Sequence, residues 1–416
     1  MKYLKRLVDE ELVQALRRSG AVLIEGARGC GKTSTAEREA GSVFRLDTDP
    51  LTDLYMQTDP SQMLEGASPR LLDEWQIHPK IWDLVRRAVD DRQRKGQFIL
   101  TGSVTPEDTI RRHSGAGRFT VIRMRPLTLW EEGKSDGEVS LGQLRKTCEL
   151  PMMQSPQPTL NEWTEILCRG GWPAMVEADL SDSMRYVKDY LDLIVSVDVG
   201  MTSSRKRDPI RMTRLIASLA RNTSSEASIN TLRSDAGGPD NPLARDTTSD
   251  YLDILERLMV IEPLPAWQTA LRGSATLRQA PKWHFVDPSL AVSALRANPA
   301  KILKEPKTLG MLFESLAIRD LRTYAEADGG VTFHARDSVG READLIIEYS
   351  DGWMACEIKL GMGQADQAAE SLTRFCAAVD TQTVGPCLGK IVIVGNGPAY
   401  QRNDGIMVVP LASLRQ

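Results

Sequence analysis

A glycine-rich loop is the strongest chemical signal in the chain. The apolar residues 21–24 lead into GARGCGKT at residues 26–33, and a segment compatible with a helix follows. In this GxxxxGK[ST] spacing between a strand and a helix, backbone N–H groups and the helix dipole surround phosphate oxygens. We therefore predict that ATP or ADP binds here with Mg²⁺, and that the loop contacts come from Gly26, Ala27, Arg28, Gly29, Cys30, Gly31, Lys32, Thr33 and Ser34.

Within this loop, two side chains have roles in catalysis. Lys32 is expected to reach the β- and γ-phosphates, and the Thr33 hydroxyl is expected to bind Mg²⁺. Cys30 has two interpretations, a small residue of the loop or a thiol whose oxidation blocks the nucleotide.

Acids and hydroxyls follow the next two apolar runs, in LLDEWQ and FILTGS. Asp73 is predicted to hold the Mg²⁺ shell, and Glu74 to polarise the attacking water as a general base. The alternative for this pair is an acidic helix N-terminus. Thr101 and Ser103 are predicted to contact the γ-phosphate or the water. Strands that alternate with helices predict a parallel sheet, whose carboxyl ends bring such motifs together.

An arginine-bearing stretch, IRRHSGAGRF, follows these motifs. One of Arg111, Arg112 and Arg118 is a candidate arginine finger that acts on the nucleotide of a neighbouring subunit. Arg118 is the preferred candidate because it directly precedes a predicted strand that would fix its position. The alternative is a solvated basic loop.

The segment READLIIEYSDGWMACEIKLG has the pattern of a hairpin that carries two carboxylates and a lysine among apolar residues. A type I′ turn at residues 351–352 places Asp344 opposite Lys359, with Glu357 two positions along on the same face. A turn at residues 350–351 places Asp344 opposite Glu357 instead. The three side chains share one face in either register.

This grouping predicts metal chemistry. Two carboxylates a few ångströms apart repel one another unless a cation lies between them, and oxygen ligands suit Mg²⁺ or Mn²⁺. Such an ion activates water for attack on a phosphodiester, and Lys359 would orient the nucleophile or offset charge. The alternatives are a chance spacing and an inactive binding platform. A downstream helix, GQADQAAESL, is expected to bring Gln364 or Gln367 near the site.

The motifs GARGCGKT, LLDEWQ, FILTGS and AGRFTVIRMRPLTLWE together resemble a bacterial and archaeal group of AAA-superfamily ATPases with a C-terminal restriction-nuclease-like domain of unknown function. The hairpin pattern resembles the PD-(D/E)xK nucleases. The resemblance implies that Glu314, in an upstream amphipathic helix, joins Asp344 and Glu357 as a metal ligand. One departure is that Asp344 follows Ala343 rather than a proline.

The fold expected from pattern and resemblance is α/β. It comprises a P-loop AAA-type parallel-sheet ATPase domain, a helical and winged-helix middle, and a C-terminal α/β restriction-endonuclease-like domain. The predicted boundaries are an ATPase domain at 1–135, a linker and helical segment at 136–200, a winged-helix-like domain at 201–285 and a nuclease-like domain at 286–416. The third predicted helix of the middle region is acidic, which disfavours its insertion into a DNA groove. Any DNA contact of this region is therefore predicted through Arg205, Lys206 and Arg207. The alternative is that the region connects the ATPase domain to the C-terminal domain and touches no DNA.

Composition sets outer limits on these interpretations. The chain has 416 residues, which predicts two or three domains, and its net charge of -4 gives no global signature of nucleic-acid binding. Six scattered cysteines predict a reduced, cytoplasmic location with no zinc site. No run is apolar and long enough for a bilayer, and the N-terminal residues lack the pattern of a signal peptide.

The function predicted from the sequence is a Mg²⁺-dependent ATPase coupled to a nuclease-like domain that acts on DNA as a ring-shaped homo-oligomer, hexamer-like by family type. One alternative is a nucleotide switch whose tail binds DNA or protein without cleaving it. Another is a partner-binding module in which both sites are degenerate.

Overall fold

A computed structural model describes residues 3–103, 115–198, 208–238, 241–268 and 280–416. The chain forms two compact units. The first contains residues 1–126, 172–174 and 257–259, and the second contains 127–171, 175–256 and 260–416. The predicted basic residues Arg111, Arg112, Arg205, Lys206 and Arg207 lie outside the described residues.

The first unit is a parallel α/β sheet with helices. Its strands are β1 (Ala21–Gly26), β2 (Ser42–Arg45), β3 (Arg70–Asp73), β4 (Phe98–Gly102) and β5 (Phe119–Met124), and its helices are α1 (Val8–Arg18), α2 (Lys32–Glu39), α3 (Thr52–Gln57) and α4 (Lys80–Arg92). Short 3₁₀ turns occur at Pro60–Leu64 and Trp75–Ile77. The strand order is β2-β3-β4-β1-β5, and every pairing is parallel. The α/β class and the parallel sheet predicted from the sequence are confirmed.

Apolar packing explains why these elements form. All residues of β1 and β4 are buried, as expected for central strands covered on both faces. One core cluster joins Leu23 and Leu100 to the aromatic side chains of Trp75 and Trp82. The Trp82 ring stacks on Phe119 with centroids 3.9 Å apart. This core fixes the strands, and with them the edge of the sheet at which the predicted phosphate-binding motifs end.

The second unit contains eleven helices and ten strands within the described residues. The helices are α5 (Leu141–Thr147), α6 (Leu160–Arg169), α7 (Leu180–Leu193), α8 (Pro209–Arg221), α9 (Ile229–Gly237), α10 (Arg245–Arg257), α11 (Pro288–Ala294), α12 (Pro299–Leu303), α13 (Pro306–Ala327), α14 (Ala365–Ala378) and α15 (Thr381–Val384). The strands are β6 (Val139–Ser140), β7 (Ile261–Leu264), β8 (Lys282–Phe285), β9 (Val331–Arg336), β10 (Glu342–Tyr349), β11 (Gly352–Lys359), β12 (Cys387–Val394), β13 (Tyr400–Gln401), β14 (Met407–Pro410) and β15 (Leu414–Arg415). No helix among the described parts of the chain has the length and apolar character to cross a membrane.

The middle of the chain has three helices, α8 to α10, followed by the antiparallel pair β7–β8. Helix α10 begins at Arg245 and carries Asp246, Asp250 and Asp253, so it is acidic as the sequence indicates. The element order matches the predicted order of three helices and a strand. The winged-helix assignment and any contact of this region with DNA stay predictions.

The largest sheet of the second unit has six strands in the order β13-β14-β12-β11-β10-β9. Strands β9, β10 and β11 are antiparallel neighbours, whereas β11, β12 and β14 run parallel. Helix α14 buries Ala365, Ala368, Ala369, Leu372 and Phe375, which pack in the two cores beside this sheet. The helix that follows the hairpin therefore covers the sheet. The restriction-endonuclease-like assignment stays a prediction.

The register of the hairpin differs from the first of the two predicted ones. Tyr349 pairs with Gly352, so the turn lies at residues 350–351 and the turn predicted at 351–352 is wrong. Gly352 belongs to strand β11, with φ at 151°, and a Cβ there would run into the Pro386 carbonyl oxygen. The glycine is therefore needed for a close approach of the backbone before β12, not for the turn.

A buried ion network joins distant segments of the second unit. Arg319 on α13 contacts Asp287 at 2.6 Å and Asp320 at 2.8 Å. Asp287 also accepts a hydrogen bond from the Gly171 amide, and Asp320 accepts one from the Leu129 amide. Buried charges persist only when they are paired and hydrogen-bonded. The motifs RPLTLWE and GGWP thus contribute backbone donors to a structural network.

Candidate functional site

The glycine-rich loop between β1 and α2 has the shape needed to hold phosphate. Gly29 and Gly31 have φ values of 72° and 102°, in the left-handed region that favours glycine. A Cβ at Gly26 would run into the Met124 carbonyl oxygen, so this position also requires glycine. Helix α2 begins at Lys32, directly after the loop, and the first-turn amides of a helix are free to bind an anion.

The loop lysine is held by neutral groups. Lys32 is buried, and its Nζ donates to the carbonyl oxygens of Gly26 at 2.9 Å and Ala27 at 3.0 Å. Because these partners carry no net charge, the positive charge of Lys32 is not neutralised by a carboxylate contact. A phosphate group can replace the carbonyl oxygens and gain a charge-assisted hydrogen bond.

Two further residues support the loop. Cys30 is buried with its Sγ 3.5 Å from the Met124 carbonyl oxygen, which agrees with the interpretation of a small packed loop residue. Arg6 is also buried and donates to the carbonyl oxygens of Cys30 at 2.8 Å and Arg125 at 2.7 Å. Arg6 was not predicted, because a single arginine before the first helix has no local pattern.

Asp73 lies where three elements meet. The Thr33 hydroxyl donates to Asp73 Oδ1 at 2.9 Å, and the Thr101 hydroxyl donates to the same oxygen. Thr33 comes from α2, Asp73 from the end of β3 and Thr101 from the end of β4. A hydroxyl and a carboxylate at the phosphate loop are the donor set that suits Mg²⁺ with its waters. The residues therefore fit the ion that the P-loop implies.

Glu74 is oriented by two polar side chains. It has φ at 55°, an uncommon conformation for a residue that is not glycine. The Ser103 hydroxyl donates to Glu74 Oε1 at 3.3 Å, and the Gln76 amide donates to Oε2. Backbone strain of this kind clusters at functional positions. Gln76 was not predicted, although it stands in the same LLDEWQ motif. We name Lys32, Thr33, Asp73, Glu74, Thr101 and Ser103 the phosphate site.

Arg118 lies at the other edge of this sheet. It directly precedes β5, at the amino-terminal end of the strand, as its sequence position predicts. Its guanidinium forms an ion pair with Asp90 on α4 at 2.9 Å, and its side chain is 43% exposed. The structure therefore does not bring Arg118 to the phosphate site of its own chain. Its action on a neighbouring subunit stays a prediction.

A second cluster of charged side chains forms in the second unit. We name the five residues involved, on β8, α13, β10 and β11, the acid–lysine site: Lys282, Glu314, Asp344, Glu357 and Lys359. The structure thus brings together all four residues predicted from the hairpin and the upstream helix, and it adds Lys282.

The hairpin residues of the acid–lysine site share one face. Lys359 Nζ lies 2.8 Å from Glu357 Oε1 and 3.4 Å from Asp344 Oδ2. The Ile358 amide also donates to Asp344 Oδ2, at 2.8 Å. A register shift between β9 and β10 falls at Ala343–Ile346, which frees this part of β10 from regular pairing. The face predicted for the three side chains is the one observed.

Burial and mutual repulsion shape the electrostatics. Burial, reinforced by the charge of Asp344, raises the pKa of both Glu314 and Glu357 above the usual value. Burial alone would lower the pKa of Lys282, but the neighbouring carboxylates outweigh it and the net shift is upward. The same balance raises the pKa of Lys359. Both lysines therefore remain charged at neutral pH.

The fit of this site to a divalent cation is uneven. Among the residues that the structure describes, Glu357 Oε2 is buried without a hydrogen-bond partner, so its lone pairs are available to a cation. Glu314 Oε1, in contrast, lies 3.3 Å from Lys282 Nζ. No group of three or more His, Cys, Asp or Glu residues in the described ranges has the arrangement of a metal site. Glu357 Oε2 is thus the carboxylate oxygen of this site that best suits a cation, and metal binding by Glu314, Asp344 and Glu357 stays a prediction.

Lys282 is the residue of this site that the sequence analysis missed. Its only local signal is a lysine in the strand KWHF, in which Lys282, His284 and Phe285 are all buried. A buried lysine implies a buried partner, but the sequence does not name that partner. Gln364 and Gln367, which were expected near the site, are exposed.

Three family models match separate parts of the chain. Residues 18–132 match an AAA domain, residues 160–301 match a Domain of unknown function (DUF8612), and residues 309–414 match another Domain of unknown function (DUF4143). The chain therefore has an AAA-type, P-loop ATPase-like domain at residues 18–132, as predicted. The other two descriptions assign no activity.

Several solved structures align with low scores. The Walker-type ATPase PABY2304 of Pyrococcus abyssi is 13% identical over 70% of this chain and 96% of its own, with a TM-score of 0.41. The Drosophila ORC bound to DNA is 14% identical over 70% and 85%, with a TM-score of 0.21. Protein VC1899 from Vibrio cholerae is 10% identical over 94% and 95%, with a TM-score of 0.19. TM-scores this low do not establish a shared fold, and a search of curated proteins found no match.

Proposed function

We propose that the chain hydrolyses ATP at the phosphate site in a reaction that depends on Mg²⁺. The observation that carries this proposal is the convergence of Thr33 and Thr101 on Asp73 beside a glycine-rich loop. Among the described residues, the loop lysine donates to two neutral carbonyl oxygens. An AAA domain at residues 18–132 supports it. Bound Mg²⁺ would neutralise charge on the phosphate oxygens.

The roles of the side chains follow from their positions. Lys32 would bind the terminal phosphates, and Thr33 and Asp73 would hold the ion. Ser103 and Gln76 orient the carboxylate of Glu74 by hydrogen bonds. In this orientation Glu74 would accept a proton from the attacking water. Thr101 keeps Asp73 in place. Ser103 directly follows β4 and contacts Glu74, so its hydroxyl would be near the γ-phosphate or the attacking water.

ATP turnover by purified full-length chain tests this proposal. Glu74→Gln is expected to lower the turnover rate about a hundredfold while ATP binding remains, because a general base contributes to the chemical step and not to affinity. Glu39→Gln, at an exposed position on α2, is the matched control and should leave turnover unchanged. Turnover by Glu74→Gln at the wild-type rate would contradict the role of Glu74.

For the second unit, we propose metal-dependent cleavage of a DNA phosphodiester at the acid–lysine site. Support comes from the common face of Asp344, Glu357 and Lys359 and from the partnerless Glu357 Oε2. Asp344 and Glu357 would hold Mg²⁺ or Mn²⁺, and the ion would supply an activated water. Lys359 would offset negative charge on the reacting phosphate.

A nucleotide switch is the second candidate, in which the acid–lysine site binds DNA or protein without cleaving it. A specific observation favours it: each of the three carboxylates lies within 3.6 Å of a lysine ammonium, so the site already contains cations. A site neutralised in this way needs no metal for stability.

Release of nicks or ends from supercoiled and single-stranded DNA separates the two candidates. The reactions contain Mg²⁺ or Mn²⁺, with and without ATP, and Asp344→Ala is tested beside the wild type. Cleavage that is lost in Asp344→Ala supports the nuclease, whereas cleavage that persists with both Asp344 and Glu357 replaced by alanine contradicts it. ATP turnover without cleavage of any substrate favours the switch.

We also propose that the chain assembles as a homo-oligomeric ring, hexamer-like by family type, in which Arg118 acts on the nucleotide of a neighbouring subunit. The exposure of Arg118 and its place at the opposite edge of the sheet support action between subunits. The mass in solution with ATP and Mg²⁺ tests this, and a monomeric mass would contradict it.

A further inference from the structure

A lysine from outside the predicted motif reaches into the acid–lysine site. Lys282 is the first residue of β8, and its side chain is 9% exposed. Its Nζ lies 3.3 Å from Glu314 Oε1 and 3.6 Å from Asp344 Oδ1. Lys282 lies within residues 160–301, whereas the three carboxylates and Lys359 lie within residues 309–414. One region of the chain therefore supplies a cation to an acidic site in another.

The contacts of Lys282 resemble those of a bridging ion. It takes one oxygen from Glu314 and one from Asp344, and those two carboxylates come from α13 and β10. Two buried carboxylates that contact the same group repel one another unless a positive charge lies between them. An ammonium group meets that requirement without a metal, and in doing so it occupies the space that an ion shared by Glu314 and Asp344 would need.

The other side of the same site has a different composition. Glu357 Oε1 contacts Lys359, but Glu357 Oε2 is buried and has no hydrogen-bond partner in the described part of the chain. A buried carboxylate oxygen without a partner is costly, and a cation would remove that cost. Lys359 is 31% exposed, so its ammonium can move away toward solvent, whereas Lys282 is enclosed.

We propose that Lys282 is a built-in cation that replaces a divalent ion between Glu314 and Asp344, and that the acid–lysine site consequently binds one divalent ion, at Asp344 and Glu357. This inference deepens the proposed function and takes from it only the identity of the metal-binding residues. Its test measures metal binding and not cleavage, so the two can fail separately.

Charge counting gives the expected effect of substitution. Three carboxyl groups face two ammonium groups in the wild type. Lys282→Met keeps most of the side-chain volume and removes one positive charge, which leaves room and charge for a further ion. The paired variant Lys282→Met/Glu314→Gln removes one charge of each sign and restores the wild-type balance.

The experiment is Mn²⁺ binding to the full-length chain without nucleotide, measured by calorimetry and by electron paramagnetic resonance. The wild type is expected to bind one ion at the acid–lysine site, identified as the signal lost in Asp344→Asn. Lys282→Met is expected to gain one further ion or to bind Mn²⁺ at least about tenfold more tightly. Lys188→Met removes an exposed lysine that pairs with Asp192 and should match the wild type.

Equal Mn²⁺ affinity and stoichiometry in the wild type and in Lys282→Met would overturn the proposal. If Lys282→Met does not fold without metal, its thermal midpoint is measured with added Mn²⁺, and a larger upward shift than in the wild type supports the proposal. If it fails to fold in both conditions, the paired variant decides. One bound ion with wild-type affinity supports the inference, and altered stoichiometry overturns it. Wild-type Mn²⁺ binding without DNA cleavage would contradict the nuclease while the inference stands.

Discussion

Lys32 and Lys282 are both buried lysines, yet their surroundings differ in kind. Lys32 donates to two backbone carbonyl oxygens, whereas Lys282 contacts two carboxylates. A lysine held by neutral oxygens keeps its charge available for an incoming phosphate. A lysine held by carboxylates is already neutralised, and its removal leaves buried negative charge behind.

The carboxylates of the two sites show the same contrast. Asp73 and Glu74 in the phosphate site are held by hydroxyl and amide donors. Glu314, Asp344 and Glu357 are held mainly by lysines. The carboxylates of the phosphate site would therefore be neutralised by a bound cation. The carboxylates of the acid–lysine site are already paired with lysines of the same chain.

The largest effect is expected at the loop lysine. Lys32→Ala should lower ATP turnover about a thousandfold, because the charged contact to the transferring phosphate is lost. Its effect on unfolding should be small, since no charged partner is left unpaired. Lys95→Ala, an exposed residue before β4 at the amino-terminal edge of the sheet, is the control for the activity measurement. Turnover in Lys32→Ala near the wild-type rate would contradict the contrast.

Substitution of the second buried lysine, Lys282, should change the free energy of unfolding rather than ATP turnover. Lys282→Met is expected to lower the free energy of unfolding of the second unit by about 3 kcal/mol in metal-free buffer, because Glu314 and Asp344 lose their shared counter-charge. ATP turnover by the folded fraction should be unchanged. Urea denaturation with hydrogen exchange as the local readout measures this, and wild-type stability in Lys282→Met would show that the pair is not needed.

A smaller effect is expected at the hydroxyl that holds Asp73. Thr101→Val keeps the shape of a buried side chain and removes the donor to Asp73 Oδ1. We expect ATP turnover to fall about tenfold with a rise in the Mg²⁺ concentration needed for half activity, as one hydrogen bond to a charged group is worth about 1.5 kcal/mol. Thr58→Val, which removes an exposed hydroxyl directly after α3, is the control. An unchanged Mg²⁺ concentration for half activity would show that Thr101 does not contribute to ion binding.

The smallest effect concerns pH. Burial and the charge of Asp344 raise the pKa of Glu357 above its usual value of 4.5 in the folded chain. The folded state therefore keeps a proton that the unfolded chain has already released, so the corresponding stability is present at low pH and decreases as pH rises through this window. The decrease in the urea midpoint from about pH 5 to about pH 7 should be smaller in Glu357→Gln than in the wild type.

The control for the pH measurement is Glu370→Gln, at an exposed position on α14. It should retain the wild-type slope. An identical slope in Glu357→Gln would show that this carboxyl does not hold its proton in the folded state.

Much of the phosphate site is predictable from local sequence. The loop is contiguous, so the glycines, Lys32 and Thr33 reach one place by covalent connection alone. Asp73 and Thr101 follow apolar runs, and parallel strands end at a common edge, which places both near the loop. Gln76 escaped prediction because its partner Glu74 adopts an unusual left-handed conformation that no propensity indicates.

The acid–lysine site divides differently between sequence and tertiary structure. The amino-acid sequence determined the hairpin and the shared face of Asp344, Glu357 and Lys359, because side chains alternate along any strand. The tertiary structure decided the register, in which Tyr349 pairs with Gly352. It also decided that Lys282 lies between Glu314 and Asp344. A sequence specifies periodicity and covalent neighbours, but the partner of a buried charge depends on long-range packing, which local pattern does not encode.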